Sequence, residues 1–122
     1  MPFVAGVDLG GNAINYTLID ANERFLIDGL CEHPALSRQG PDICLAQIEQ
    51  GLSVAAARAG VAHGDIAAIG LDTPGPASAT GMLSARGSTN FVHAAWSGFD
   101  IRAGLEQRLR RPVTYLDRKS VV

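Results

Sequence analysis

A strand–turn–strand pattern near the N-terminus places the strongest constraint on how this chain can fold. One apolar run, Phe3 to Val7, leads into the residues Gly-Val-Asp-Leu-Gly-Gly-Asn at 6–12, and a second run, Ala13 to Ile19, leads out of them. Glycine adopts positive φ without steric cost, so Gly10 and Gly11 suit a tight reversal of the chain. The pattern predicts two neighbouring antiparallel strands joined by a short turn.

The same turn has the chemistry of a phosphate site. Gly10 and Gly11 lack Cβ atoms, so a large anion can approach the main chain, and successive N–H groups form an anion-binding concavity. Asp8, at the end of the first strand, brings a carboxylate to that place, and a carboxylate beside a phosphate suits Mg²⁺, bound directly or through water. Judged on this segment alone, the alternative is a plain hairpin with an aspartate at its turn.

Composition limits the remaining possibilities. The 122 residues, of which 47% are hydrophobic, suffice for one compact domain but not for two ordinary ones. The net charge of −2 argues against a nucleic acid or a membrane surface as the main partner. No apolar run approaches the roughly 20 residues that span a bilayer, and the first residues lack the basic start of a signal peptide, so we expect a cytoplasmic protein. Cys31 and Cys44 match no metal spacing or disulfide framework and are interpreted as reduced thiols.

The middle of the chain predicts a third strand and then a helix. Phe25 to Cys31 has strand character, and His33-Pro34 is expected to end it. Pro41 to Ala59 predicts a helix, because proline suits the first turn and Gly60 suits the C-terminal cap. Gly51 inside this helix costs roughly 1 kcal/mol against alanine, which favours close packing on a sheet. Apolar residues recur on one face at spacings of three and four: Leu45, Ile48, Leu52, Ala55 and Ala59.

The second half alternates strand and helix. The apolar run Ile66 to Leu71 predicts a strand buried on both faces of a parallel sheet. Asp100 is expected to cap a helix that reaches about residue 110, Val113 to Leu116 forms a last strand, and a short hairpin is expected around Thr80-Gly81. The order βββαβαβ predicts an α/β fold, a mixed five-stranded sheet with helices on its faces. Ligands of such sheets bind at the carboxyl ends of the parallel strands.

Four motifs lie in register from Val4 to about Leu116: Gly-Val-Asp-Leu-Gly-Gly-Asn at 6–12, Ile-Gly-Leu-Asp-Thr-Pro-Gly-Pro at 69–76, the stretch 87–101 with Trp96, and the stretch 105–113 that ends in Arg-Pro-Val. Together they resemble the ROK family of bacterial sugar kinases and sugar-responsive repressors, which have the ribonuclease H-like (actin-like ATPase) fold. Residues 6–12 resemble its opening Asp-x-Gly-Gly-Thr phosphate motif. Residues 69–76 resemble its Gly-x-x-x-Pro-Gly-Pro loop. Residues 87–101, with Trp96, resemble its Asn-Leu…Trp…Asp-Leu stretch, and 105–113 resemble the helix and strand before its catalytic Asn-Asp pair.

The resemblance implies an ATP-dependent hexose kinase that uses Mg²⁺. Residues that would face the ATP phosphates and the metal are Asp8, Gly10, Gly11 and Asn12, with Mg²⁺ on Asp8 through water. Residues that would contact sugar hydroxyls are Gly75, Thr89, Asn90 and Asp117. A solvated loop is the alternative for residues 88–90, and packing is the favoured interpretation of Trp96.

The chain departs from the family pattern at three places. Asn12 replaces a threonine of the phosphate turn but still donates a hydrogen bond. Asp72 replaces a small residue and is interpreted as a cap of the following turn, with hydroxyl binding as the alternative. Asp117-Arg118 stands where the family has Asn-Asp, and because arginine cannot accept a proton, no catalytic base is assigned.

The resemblance therefore implies part of a kinase. Residues 1–117 would form the N-terminal actin-like domain and 118–122 an atypical, truncated or altered tail. The second domain, with a structural Zn²⁺ site, would be absent, so we expect the chain alone to be inactive and to form a homodimer.

Two other functions compete with the kinase. A sugar-sensing regulator of the same family would carry a preceding helix-turn-helix, and the early first strand, at Phe3, favours the kinase. An actin- or chaperone-like ATPase gives residues 87–90 and Trp96 no evident role.

Overall fold

One mixed sheet and two helices make up the part of the chain that the computed structural model describes, residues 3–10, 12–29, 31–72, 94–96 and 98–116. Short 3₁₀ helices lie at Ser37–Gln39, His63–Asp65 and Ala94–Trp96. The main elements are β1 (Phe3–Leu9), β2 (Ala13–Ile19), β3 (Glu32–Pro34), α1 (Pro41–Ala59), β4 (Ile66–Asp72), α2 (Ile101–Leu109) and β5 (Val113–Leu116).

The sheet has the strand order β3-β2-β1-β4-β5. β2 pairs antiparallel with β1 and β3, whereas β4 pairs parallel with β1 and β5. The predicted mixed five-stranded sheet of the α/β class is confirmed. Its register places Asp8 opposite Asn15 on one side and opposite Asp72 on the other.

The N-terminal hairpin forms as predicted. The Gly10 N–H donates to the carbonyl oxygen of Ala13 at 2.8 Å, which closes the ladder next to the turn. A Cβ added to Gly10 would lie 3.0 Å from that same oxygen, so the tight closure favours glycine at this position. Gly11, the other predicted turn residue, lies outside the described part of the chain.

Helix α1 begins and ends at the predicted residues. Pro41 occupies the first turn, and Gly60 adopts φ 75° as the C-terminal cap. The predicted apolar face is buried from Leu45 to Ala55. Gly51 packs against β2 as expected, because a Cβ at this position would overlap the ring and hydroxyl of Tyr16. The Tyr16 hydroxyl donates to the Ile48 carbonyl oxygen at 3.2 Å.

The predicted third strand is wrong in its position. Phe25 forms only an isolated bridge with Ile19, whereas β3 begins at Glu32 and includes the His33-Pro34 pair that was expected to end it. Gly29, at φ 75°, turns the chain away between these two segments, and Arg58 of α1 donates to the Asp28 carbonyl oxygen at 2.8 Å. Pro34 is tolerated because β3 is an edge strand.

The expectation that β4 is buried on both faces is also wrong among the described residues. Ile66, Ile69 and Leu71 are buried, while Ala68, Gly70 and Asp72 alternate with them and are only half-buried. A bulge at Ala67 shifts the register against β1, which keeps Ile66 and Ile69 on the same side despite their odd spacing.

Both described helices cover one face of the sheet. A Cβ on Gly104 of α2 would lie 3.3 Å from Leu45 of α1, so the helices touch each other over a shared core. Asp100 caps α2 as predicted, accepting a hydrogen bond from the Ala103 N–H at 3.0 Å. The opposite face carries the polar side chains of β1, β2 and β4. The hairpin expected around Thr80-Gly81 lies outside the described residues.

Candidate active site

Three oxygen-bearing side chains form a row across adjacent strands at one end of the sheet. Asp8 on β1 lies between its register partners, Asn15 on β2 and Asp72 on β4. All three line a pocket with a volume of about 240 Å³, together with Gly6, Val7, Thr17 and Gly70. Asp8 and Asp72 stand at the carboxyl ends of parallel strands, where ligands of such sheets bind.

The two-residue period of the strands puts these groups on the face opposite the helices. Ala5, Val7 and Leu9 point into the core, so Gly6 and Asp8 point the other way. Gly6 contributes no side-chain atoms to the base of the pocket, and a Cβ at this position would overlap the Thr17 hydroxyl. The pocket therefore has space next to Asp8.

The turn between β1 and β2 is held from outside the hairpin. The carbonyl oxygen of Asn12 accepts a hydrogen bond from the Ala35 N–H at 3.0 Å, and the Asn12 side chain is exposed. A second pocket, of about 220 Å³, lies beside Asn12 and is lined by Leu36, Ser37, Arg38 and Gln39. The residues that follow β3 therefore lie next to the turn between β1 and β2.

Trp96 supports that segment rather than facing a ligand. It is only 1% exposed, and its Nε1 donates to the Ser37 carbonyl oxygen at 2.7 Å. Its ring meets Phe99 edge to face, with 5.7 Å between the ring centroids. The interpretation of Trp96 as a packing residue is confirmed.

The oxygen atoms around Asp8 fit Mg²⁺. Carboxylate and carboxamide oxygens are hard ligands, and Mg²⁺ usually retains several waters and takes only one or two carboxylates from the protein. Within the described ranges there is no group of three or more His, Cys, Asp and Glu residues that could enclose a metal. A cation here would accordingly keep much of its water and share its other ligands with a bound phosphate.

The predicted site residues divide into two sets. Asp8, Gly10 and Asn12 lie at the same end of the β1–β2 hairpin. The others lie outside the described residues: Gly11, Gly75, Thr89, Asn90, Asp117 and Arg118. The turn that Asp72 was expected to cap lies there as well, while Asp72 itself lines the Asp8 pocket.

Asn15 is one of the pocket residues that the sequence interpretation missed. The alternation of Ile14, Tyr16 and Leu18 toward the core carried the signal, because it sends Asn15 to the face of Asp8. The hairpin register then sets the two side chains opposite each other.

None of the described helices combines the length and apolar character needed to cross a membrane.

Solved structures resemble this chain closely in fold. A ROK hexokinase from Thermus thermophilus matches 94% of the chain at 29% identity and a TM-score of 0.73. An inorganic polyphosphate/ATP-glucomannokinase from Arthrobacter sp. strain KM matches 96% at 21% identity and a TM-score of 0.73. A ROK family glucokinase from Streptomyces griseus, solved in complex with glucose and AMPPNP, matches 94% at 20% identity and a TM-score of 0.69. No family model and no curated protein matches the sequence.

The chain spans 35%, 44% and 33% of the lengths of these three proteins. Each match covers nearly the whole of this chain. The resemblance to the ROK family is therefore confirmed, and the chain has the actin-like fold of a portion of a ROK sugar kinase.

Proposed function

We propose that this chain is the N-terminal portion of an ATP-dependent sugar kinase of the ROK type. The observation that carries the proposal is the position of Asp8. It stands beside the Gly10 turn at the carboxyl end of β1, in a fold shared with a ROK hexokinase at 29% identity. Phosphoryl transfer consists largely of positioning and of charge neutralisation by Mg²⁺, and this end of the sheet offers groups for both tasks.

The proposed roles follow from residue chemistry. Asp8 holds Mg²⁺ through water, and the turn at Gly10 and Gly11 lies against the ATP phosphates, with Asn12 beside them. The Gly10 N–H is already donated to the Ala13 carbonyl oxygen, so the role of Gly10 is to let the phosphates approach the main chain closely. Sugar hydroxyls would be bound by Gly75, Thr89, Asn90 and Asp117. Arg118, at the position of the family's base, cannot take the hydroxyl proton.

The proposal extends to the organisation of the protein. Residues 1–117 would form one domain of the kinase and 118–122 a tail of different character. The kinase would be a cytoplasmic homodimer with a small-molecule sugar and a nucleotide as its ligands. A second domain would supply the remaining nucleotide contacts and any structural Zn²⁺.

Replacement of Asp8 tests the proposal in the full-length protein. We expect Asp8→Ala to lower kcat for sugar phosphorylation by roughly 10²-fold or more, because it removes electrostatic stabilisation of the transferring phosphoryl group. Sugar affinity, measured by calorimetry, should change little, since Asp8 is assigned to the metal and phosphate side. Asp42→Ala, which removes an exposed carboxylate from the first turn of α1, is the matched control.

Two results would overturn the proposal. One is a large loss of sugar affinity in Asp8→Ala with normal turnover, which would move Asp8 to the sugar side. The other is sugar binding by the unaltered full-length protein without any phosphorylation in the presence of Mg²⁺ and ATP, which would favour a sugar-sensing regulator.

A further inference from the structure

The side-chain oxygen of Asn15 is an unusual group in the Asp8 pocket. Oδ1 of Asn15 is buried and has no hydrogen-bond partner within the described part of the chain. Native proteins pair nearly all buried polar atoms, so an orphaned acceptor in a pocket requires an explanation. A bound group that donates a hydrogen bond, or a cation, would supply one.

The position of Asn15 indicates which kind of ligand could pair with its side-chain oxygen. Asn15 is the cross-strand partner of Asp8, and side chains of such pairs lie close enough to share a ligand. Asp72 flanks Asp8 from the other neighbouring strand and lines the same pocket. A ligand that reaches the Asn15 oxygen therefore lies beside two carboxylates, which disfavours an anion and favours a cation with its water shell.

We propose that Asn15 is a further binding residue for the divalent cation at Asp8, its carboxamide oxygen accepting a hydrogen bond from a water of the hydrated ion. Asp72 contributes a second carboxylate on the far side of Asp8. Outer-shell groups of this kind orient the water shell and raise metal affinity. The proposal deepens the metal-binding role given to Asp8 and does not depend on the identity of the sugar.

The replacement Asn15→Leu distinguishes a metal-binding role of Asn15 from a purely structural one. Leucine has a similar size but no polar atom, so it removes the orphaned acceptor without opening a cavity. In the metal-free chain the replacement should leave the melting temperature unchanged or raise it, because an unsatisfied buried acceptor destabilises the fold. Metal affinity should fall in the same variant.

The experiment uses the 122-residue chain with Mn²⁺ as the probe and no nucleotide. Mn²⁺ binding is followed by paramagnetic broadening of amide signals, and Mg²⁺ is added as a competitor. We expect Asn15→Leu to weaken binding roughly 10-fold and Asn15→Asp to retain it, because aspartate keeps an oxygen acceptor. Thr17→Val is the matched control, since it removes a polar atom from the same strand and pocket.

Three results would overturn the proposal. They are unchanged Mn²⁺ affinity in Asn15→Leu, equal loss of affinity in Thr17→Val, and no broadening around Asp8 in the unaltered chain at millimolar Mn²⁺. The outcome is separable from that of the kinase proposal. If metal binding depends on Asn15 but the full-length protein phosphorylates no sugar, this inference stands and the kinase proposal fails. If the full-length protein phosphorylates a sugar but metal binding does not depend on Asn15, the kinase proposal stands and this inference fails.

Discussion

At the scale of single residues, Gly51 and Tyr16 show how one contact joins α1 to the sheet. The Tyr16 ring is 3% exposed and occupies the space that a side chain at position 51 would need. We expect Gly51→Ala to lower the free energy of unfolding by about 1–3 kcal/mol, because overpacking outweighs the helix preference of alanine. Urea denaturation measures the change.

A double-mutant cycle measures how much of that loss comes from the Tyr16 hydroxyl. In a Tyr16→Phe background the hydroxyl is gone but the ring still overlaps the added Cβ, so Gly51→Ala should cost less than it does in the unaltered protein without becoming neutral. Gly64→Ala is the control, because a Cβ at position 64 meets nothing within 4 Å. Equal costs of Gly51→Ala in both backgrounds would show that the Tyr16 hydroxyl is not the obstacle.

Cys44 gives the fold a dependence on alkaline pH. Burial raises the pKa of its thiol to about 11, with the Ser37 hydroxyl acting in the opposite direction. The thiol of the unfolded chain ionises near 8.5. The stabilisation from keeping Cys44 neutral is therefore complete below about pH 8.5 and is lost as the pH rises toward about 11, by linkage on the order of 3 kcal/mol in all.

Urea midpoints measured between about pH 8 and 10 should fall with pH, and Cys44→Ala should flatten that fall. Burial also raises the pKa of the Tyr16 phenol, so the interval below about pH 10, where an unfolded tyrosine ionises, isolates the thiol. A slope that is unchanged in Cys44→Ala would assign the effect to other groups.

At the scale of the elements, local signals predicted the helices better than the third strand. Both bounds of α1 follow from Pro41 and Gly60, which act within a few residues of where they stand. The position of β3 depends instead on the turn at Gly29 and on a hydrogen bond from Arg58, thirty residues away along the chain. The sequence from Phe25 to Cys31 indicates strand-forming residues, but it carries no information on the distant contact with Arg58.

The cap of α2 is a prediction at this scale. Asp100→Ala should destabilise the protein by about 1 kcal/mol, since the Ala103 N–H loses its acceptor at the start of the helix. Asp100→Asn keeps an acceptor oxygen and should remain within a few tenths of a kcal/mol of the parent. Thermal unfolding of the three proteins gives the comparison, and equal losses in both variants would mean that the charge of Asp100, not its capping bond, matters.

At the scale of the whole molecule, the sequence predicted where the candidate site lies but only part of what lines it. The βββαβαβ order was enough to bring Asp8 to the carboxyl edge of the sheet, because that edge is a property of topology. The juxtaposition of Asp8 with Asn15 and Asp72 depends on strand register. The hairpin between β1 and β2 was predicted, and the alternation in β2 carried the signal for Asn15, but the bulge at Ala67 that sets the register of β4 against β1 is not visible in residue periodicity.

The face opposite the helices also carries a row of apolar side chains, at the end away from Asp8. Register places Val4 between Ala68 and Ile19, and Ile19 bridges to Phe25. Val4 is 39% exposed and Phe25 is 71% exposed. Exposed apolar surface of this kind marks places where proteins associate.

We predict that the 122-residue chain by itself self-associates and phosphorylates no sugar. A symmetric dimer would cover the apolar row in a closed arrangement. Phe25→Ser should shift sedimentation toward the monomer, whereas Val54→Ser, on the exposed side of α1, should not. Activity should be absent because Arg118 cannot act as a base, an assistance typically worth about 10²–10⁴-fold. A monomer at micromolar concentration would contradict the first half, and Mg²⁺-dependent sugar phosphorylation in a coupled assay would contradict the second.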